Sequence, residues 1–225
     1  MNQKRSAGRK LSAQDVAFPQ GQPSARGQRL TLTQAIRPAR KPLFPFREGY
    51  RIEIYKDPEL GLRMPVLTAA VSADKLFPLL FELFTPLGEV VDFILESSHE
   101  LEQVADGPPI AATWERTDID LPVLTSILCD YENLLLNDGC TGMAVLNADR
   151  DYEVHFDEHK LLYLYGPQLK SFETILQRHG VQRNDDLIII TEDEHIHSTS
   201  DEFYEQMNEL RQMVGVEDEV ESPSW

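Results

Sequence analysis

The chain has 225 residues, of which 41% are hydrophobic and 26% are charged, and its formal net charge is −17. This composition is typical of a soluble globular protein. No apolar run approaches the roughly 20 residues of a membrane-spanning helix, and no apolar stretch follows the basic N-terminus as in a secretory signal. We therefore expect a cytoplasmic protein without a membrane span. The two cysteines, Cys129 and Cys140, fit a reducing compartment.

The charge is divided unevenly along the chain. Residues 1–50 contain ten basic and two acidic residues, a net charge of +8, so residues 51–225 carry −25. Few large apolar residues accompany the basic ones, and such a composition buries too little surface to offset chain entropy. We predict a disordered basic arm over residues 1–48, a globular domain over residues 49–215 and a flexible acidic tail over residues 216–225.

Alternation and turn residues predict the elements of the first half of the globular domain. Residues 51–55 and 64–71 are typical of strands, and a helix is predicted over residues 72–84, with Pro78 marking where it becomes regular. Residues 89–96 predict a third strand. If the two strands that flank this helix were parallel neighbours in one sheet, the crossover connection between them would be right-handed.

Proline and glycine punctuate the middle of the chain. Residues 100–117 contain Gly107-Pro108-Pro109, a break that can mark a subdomain boundary, although residues 111–115 are typical of a short strand. A single helix is predicted from Asp118 or Asp120 to the residue before Gly139.

The last third predicts a meander followed by alternating elements. Strands are expected over residues 141–147, 151–157 and 160–165. A helix over residues 167–180 and a buried strand over residues 187–191 follow. The final helix is expected over residues 198–214, with Thr199 and Glu202 as a capping box. The predicted fold class is α/β. We expect a single mixed β-sheet of about seven to eight strands with about four packed helices.

Histidine and acidic residues concentrate in two short segments. His155, Asp157 and His159 lie in one, and His195 and His197 lie in the other. Residues two apart on a strand share a face, so neighbouring strands would bring these groups together. Imidazole and carboxylate ligands suit a divalent metal ion, which can activate water. The alternative is ordinary polar surface, which is common on strands and turns.

Two further segments are candidates for binding. The predicted helix over residues 72–84 is apolar on nearly all sides, which indicates either burial in the chain's own core or a partner-binding surface formed by Leu76, Phe77, Leu80, Phe81 and Phe84. Basic arms bind nucleic acid through phosphate contacts. The candidate residues for such contacts are Lys4, Arg5, Arg9, Lys10, Arg37, Arg40 and Lys41. Such an arm can instead fold back on the acidic body or remain a solvated tail.

No motif in the sequence identifies a reaction, since phosphate loops, Rossmann glycines and nucleophile elbows are absent from it. The favoured hypothesis is a non-catalytic interaction or adaptor protein, whose acidic face binds a basic protein partner and whose basic arm acts as a tether. The alternatives are a metal-dependent hydrolase, with a divalent metal as cofactor, and a protein associated with nucleic acid or ribosomes. The oligomeric state stays open.

Overall fold

The computed structural model describes residues 27–57, 62–102 and 110–216. Within these residues the chain forms nine strands and five α-helices. The strands are β1 (Ile36–Pro38), β2 (Gly49–Asp57), β3 (Leu62–Ala70), β4 (Val90–Glu102), β5 (Ile110–Asp120), β6 (Thr141–Asn147), β7 (Tyr152–Phe156), β8 (Leu162–Tyr165) and β9 (His195–His197). The helices are α1 (Ala73–Phe84), α2 (Leu121–Cys129), α3 (Glu132–Asn137), α4 (Lys170–Arg178) and α5 (Asp201–Val214).

Seven strands form the main sheet, in the order β2-β3-β8-β7-β6-β4-β5. This arrangement, with helices packed on the sheet, confirms the predicted α/β class. All neighbouring pairs in this sheet are antiparallel, so the expected mixture of strand directions is not found between neighbours. The connection through α1 links β3 to β4, but these two strands are not neighbours, because β8, β7 and β6 lie between them in the sheet.

The hydrophobic core lies between one face of the main sheet and the helices. Alternate residues of the strands, such as Phe93, Val154 and Leu164, are fully or almost fully buried there. The predicted partner-binding residues of α1 belong to this core: Leu76, Phe77, Leu80 and Phe84 are at most 8% exposed, and Phe81 packs against it. In this fold their side chains are therefore used inside the chain rather than on a partner surface.

The N-terminal segment, which we define as residues 27–48, packs onto the body. Ala35 and Ile36 are 0% and 1% exposed, and Phe46 is also buried. The Leu30 amide donates to the Phe46 carbonyl oxygen, which folds the segment back on itself. The predicted arm is thus corrected for residues 27–48, because their few apolar side chains find a second small core. The remainder of the predicted arm lies outside the described residues.

Several local predictions differ from the structure. The single helix expected before Gly139 is divided into α2 and α3 by a turn at Asp130 and Tyr131. In residues 187–191, Leu187, Ile189 and Ile190 are buried, but the segment forms irregular chain and a short 3-10 turn rather than a strand. Ser200 caps α5 by accepting from the Phe203 amide, so the predicted capping box with Thr199 is wrong.

Other predicted boundaries can be placed as follows. Helix α1 begins at Ala73 and contains Pro78 in its interior. The described parts of residues 100–117 belong to β4 and β5, which pair as one hairpin of the main sheet. Of the predicted acidic tail, all but Val216 lies outside the described residues. Across the described ranges, no helix has both the length and the apolar character needed to cross a membrane.

Candidate metal centre

Three histidines from two distant parts of the chain lie together. His195 and His197 are two residues apart on β9 and share one face of that strand, as predicted. His159 lies in the turn between β7 and β8. The ring centroid of His159 lies 5.0 Å from that of His195 and 4.8 Å from that of His197, and the centroids of His195 and His197 are 5.2 Å apart. We call these residues the three-histidine cluster.

Hydrogen bonds to the Nδ1 atoms hold all three rings of the cluster. His159 Nδ1 lies 2.9 Å from Asp157 Oδ2, and His195 Nδ1 lies 2.8 Å from the carbonyl oxygen of Asp193. His197 Nδ1 pairs with the carbonyl oxygen of Gly139. Because each acceptor is an oxygen without a proton, each Nδ1 must donate. In the neutral ring the lone pair then lies on Nε2, the arrangement of a metal-ligating histidine with an outer-shell partner.

The spacing of the rings matches a shared metal ion. Zinc lies about 2.0–2.1 Å from a histidine nitrogen, so three imidazoles around one tetrahedral ion place their ring centroids about 5 Å apart. The observed separations of 4.8–5.2 Å equal that spacing. One ligand atom from each ring lies within 4.8 Å of those from the other two. Ligand nitrogens around one tetrahedral ion lie about 3.3 Å apart, so the rings are close enough to share an ion after a small adjustment.

Asp157 orients His159 through the turn that contains both residues. Its Oδ1 accepts from the backbone amides of His159 and Leu161, at 3.0 and 2.8 Å, while its Oδ2 accepts from the His159 ring. Aspartate stabilises such turns by bonding to backbone two or more residues ahead. The carboxyl group of Asp157 thus holds the ring of His159, whereas the sequence predicted it as a direct ligand.

The surroundings of His197 favour its neutral form. Burial lowers the pKa of this imidazole, and the positive charges that His159 and His195 can carry lower it further, against the opposing effect of the hydrogen bond to Gly139. A neutral imidazole is the form that binds a metal ion.

A buried carboxylate supports the backbone behind His197. Asp138 is 0% exposed and accepts hydrogen bonds from Thr141, Thr199 and His99. Burial alone would raise the pKa of Asp138, but these three hydrogen bonds outweigh it and lower the pKa. The next residue is Gly139, whose carbonyl oxygen accepts the hydrogen bond from His197 Nδ1. No sequence pattern pointed to Asp138 or His99, because their contact joins residues from separate elements.

Lys160 is a buried cation beside the cluster. It is 4% exposed, and its Nζ donates to the carbonyl oxygen of Thr141 at 2.7 Å. Burial lowers its pKa from 10.5 to about 8, although nearby acids such as Asp138 and Asp157 act in the opposite direction. Its ammonium form therefore costs stability at neutral pH.

A stability measurement can isolate the titration of Lys160. The unfolded chain binds more protons than the folded chain between about pH 8 and pH 10.5, so stability rises with pH across this window. Relative to Lys160→Met, we expect the wild type to gain about 2–3 kcal/mol between pH 7 and pH 10. Urea denaturation of both metal-free proteins at the two pH values measures this difference. A difference independent of pH would contradict the buried charge.

His155, which the sequence grouped with the metal ligands, lies elsewhere. It is on β7, on the sheet face opposite the core residues Val154 and Phe156, and its Nε2 is 3.1 Å from Glu96 Oε2. Burial would lower the pKa of His155, but the hydrogen bond and charge of Glu96 outweigh it and raise the pKa to about 9. His155 therefore forms an ion pair on the sheet rather than a part of the cluster.

The pairing of His155 with Glu96 predicts a pH-dependent contribution to stability. Because its folded pKa is raised from 6.5 to about 9, the pair contributes fully below pH 6.5 and its contribution is lost as the pH rises through about 9. In Glu96→Gln, we expect the His155 pKa to fall below about 9, because only the charges of Asp157 and Glu153 then oppose the effect of burial. Titration of the imidazole by NMR measures it. An unchanged pKa would show that Glu96 is not the cause.

The basic residues proposed for nucleic-acid binding are only partly described. Lys4, Arg5, Arg9 and Lys10 lie outside the described residues. Arg37 and Lys41 are exposed, and Arg40 lies 3.2 Å from Asp193 and 3.9 Å from Glu194. At least one basic residue of the N-terminal segment is thus folded back onto acids of the body.

Comparisons with known proteins add no relationship. No protein-family model matches the chain, and neither the curated proteins nor the solved structures include a significant match. The function has to be inferred from the geometry of the site.

Proposed function

We propose that this protein binds one divalent transition-metal ion through His159, His195 and His197, and that zinc is the ion it binds in the cell. One observation carries the proposal: the three rings are gathered at the centroid spacing of a shared ion, while an acceptor holds each Nδ1 proton. Orienting three imidazoles in this way is what outer-shell groups do at known metal sites.

The ligand set narrows the choice of ion. Three imidazole nitrogens suit zinc, copper, nickel and iron, whereas magnesium and calcium prefer sets of oxygen ligands. Copper binds most sites more tightly than zinc does, so selection in the cell depends on availability as well as affinity. We therefore expect zinc to bind well and magnesium to bind weakly.

The direct experiment measures metal in the untagged full-length chain. Mass spectrometry of the elements should find close to one equivalent of zinc after reconstitution, and isothermal titration should show a single site with no detectable heat for magnesium. A protein that takes up no zinc, or takes up zinc equally well after His159, His195 and His197 are all replaced by alanine, would refute the proposal.

A hydrolytic role is the second candidate, and the number of ligands favours it. Catalytic zinc sites commonly have three protein ligands and keep a fourth position for water, whereas structural sites use four. An ion in the three-histidine cluster would supply activated water at that position. Zinc-dependent cleavage of para-nitrophenyl acetate or bis(para-nitrophenyl) phosphate, lost in His197→Ala, is the expected result. Equal rates with and without zinc would exclude zinc-dependent hydrolysis of these substrate classes.

The adaptor and nucleic-acid hypotheses remain predictions from the charge distribution. An adaptor would form a salt-sensitive complex with a basic protein. If the basic arm binds nucleic acid, deletion of residues 1–47 should abolish the binding of RNA or DNA by the protein.

A further inference from the structure

The strand that carries two of the three histidines also holds the N-terminal segment. β9 pairs with β1 in an antiparallel ribbon, with Ile36 opposite His197 and Pro38 opposite His195. Two backbone hydrogen bonds flank this pairing. The Ser198 amide donates to the carbonyl oxygen of Ala35 at 2.8 Å, and the Ala39 amide donates to the carbonyl oxygen of Glu194 at 2.9 Å. We call β1 and β9 together the β1–β9 ribbon. Any movement of β9 must therefore move or release β1.

The ribbon rests against the backbone that holds His197. The Gly139 amide donates to the carbonyl oxygen of Ser198 at 2.8 Å, and a side chain on Gly139 would collide with the carbonyl oxygen of Ala35. Gly139 thus allows close backbone approach of both strands of the ribbon to the site. The position of His197 and the docking of β1 depend on the same contacts.

The N-terminal segment is anchored to the body at Glu48, which is 3% exposed and accepts from the Ser72 amide and from Lys75 Nζ. The ion pairs beside β1 and β9 are weaker. Arg40 is 66% exposed in its ion pairs with Asp193 and Glu194, and exposed pairs contribute little because water and salt screen them. The ribbon is also only two short strands wide, and isolated two-stranded ribbons are marginal in water. An ion held between β9 and the turn of His159 would add a strong connection between the ribbon and the main sheet.

We propose that metal binding at the three-histidine cluster locks the β1–β9 ribbon, so that occupancy of the site controls how often the ribbon opens. This inference rests on the proposed metal-binding function. We call the ribbon closed when β1 and β9 are paired at the site, and open when they are not. An ion that binds only the closed form increases the closed-to-open ratio by a factor of one plus the ratio of the free-ion concentration to Kd. Loss of the ion then favours opening of the ribbon, which releases Arg40 from its ion pairs with Asp193 and Glu194.

Hydrogen exchange of the full-length chain tests this lock. With free zinc at about 100 times its Kd, the amides of Ala39 and Ser198 should exchange about 100-fold more slowly than in the metal-free protein. The amides of the β4–β6 pairing in the main sheet are the internal reference, and they should change less than those of the ribbon.

A matched variant separates loss of the ion from damage to the ribbon. His159→Ala removes a ligand that lies outside the ribbon, so its metal-free exchange at Ala39 and Ser198 should equal that of the wild type. Zinc should then have no effect on either amide. The parallel variant His179→Ala, whose side chain pairs with Glu82 far from the ribbon, should respond to zinc as the wild type does.

The outcomes distinguish the two proposals. If zinc binds and slows exchange at Ser198 but not at Ala39, the lock is wrong and the metal site stands. Equal slowing throughout the main sheet also overturns the lock, because the ribbon would then open only on global unfolding. If titration detects no zinc binding at all, the proposed function itself fails and the lock fails with it.

Discussion

Replacing His197 with alanine is expected to lower the affinity of the protein for zinc by more than about 100-fold. Loss of a single outer-shell group at a metal site costs about 10- to 100-fold in affinity, and loss of a ligand removes a metal–nitrogen bond as well. The two remaining imidazoles, His159 and His195, would leave two positions of a tetrahedral ion to water instead of one. Isothermal titration of zinc into the metal-free protein measures the change, with circular dichroism as the check on folding.

The control for this variant is another histidine that the sequence had grouped with the ligands. His155→Ala removes an imidazole paired with Glu96, and zinc affinity should stay within about threefold of the wild type, since distant sites act independently. If His155→Ala weakened zinc binding as strongly as His197→Ala, the ion would not be bound at the three-histidine cluster. Equal affinity in His197→Ala and the wild type would lead to the same conclusion.

Replacing Asp138 with alanine is expected to lower the free energy of unfolding by about 3–5 kcal/mol. The wild-type carboxylate is fully buried and accepts from Thr141, Thr199 and His99. Alanine leaves the buried Thr141 hydroxyl and the largely buried His99 imidazole without their acceptor, and each unsatisfied group adds a desolvation cost, whereas Thr199 is exposed to water. Chemical denaturation of the metal-free proteins measures the loss.

The matched variant Asp138→Asn keeps an acceptor oxygen and the shape of the side chain. It should lose less stability than Asp138→Ala, because part of the hydrogen bonding survives. The lowered pKa of Asp138 adds a pH signature: the carboxylate contributes its stability above the ordinary aspartate pKa, and that contribution disappears as the pH falls through the lower folded value. The wild type and Asp138→Asn should therefore converge in acid. A loss of less than about 1 kcal/mol in Asp138→Ala would contradict the role of the carboxylate.

Local patterns in the sequence were enough to predict much of the fold. The alternation of residues 151–157 predicted β7 because its core side chains, Val154 and Phe156, repeat every second position. Elsewhere the structure of a segment depends on tertiary contacts that its local pattern does not contain. Residues 187–191 have the apolar composition of a strand, yet Leu187 and Ile190 fill the second core without a neighbouring strand to pair with.

The candidate site was predicted in part, and for a physical reason. His195 and His197 share a face because β9 has the two-residue period of any strand. The same argument grouped His155 with Asp157, but β7 ends at Phe156 and the following turn redirects the chain. The sequence left open whether the two histidine segments meet as neighbouring strands; in the structure β9 pairs with β1, and its histidines lie beside a turn rather than beside β7.

The pairing of Ile36 with His197 has a consequence for the newly made chain. The strands of the ribbon come from opposite ends of the folded body, so a ribosome must release both before the ribbon can form. Contacts between residues so far apart in sequence form late, because closing a long loop costs entropy before any contact repays it. We therefore expect the ribbon, and with it the complete three-histidine cluster, to form only after β9 has been synthesised and has paired with β1.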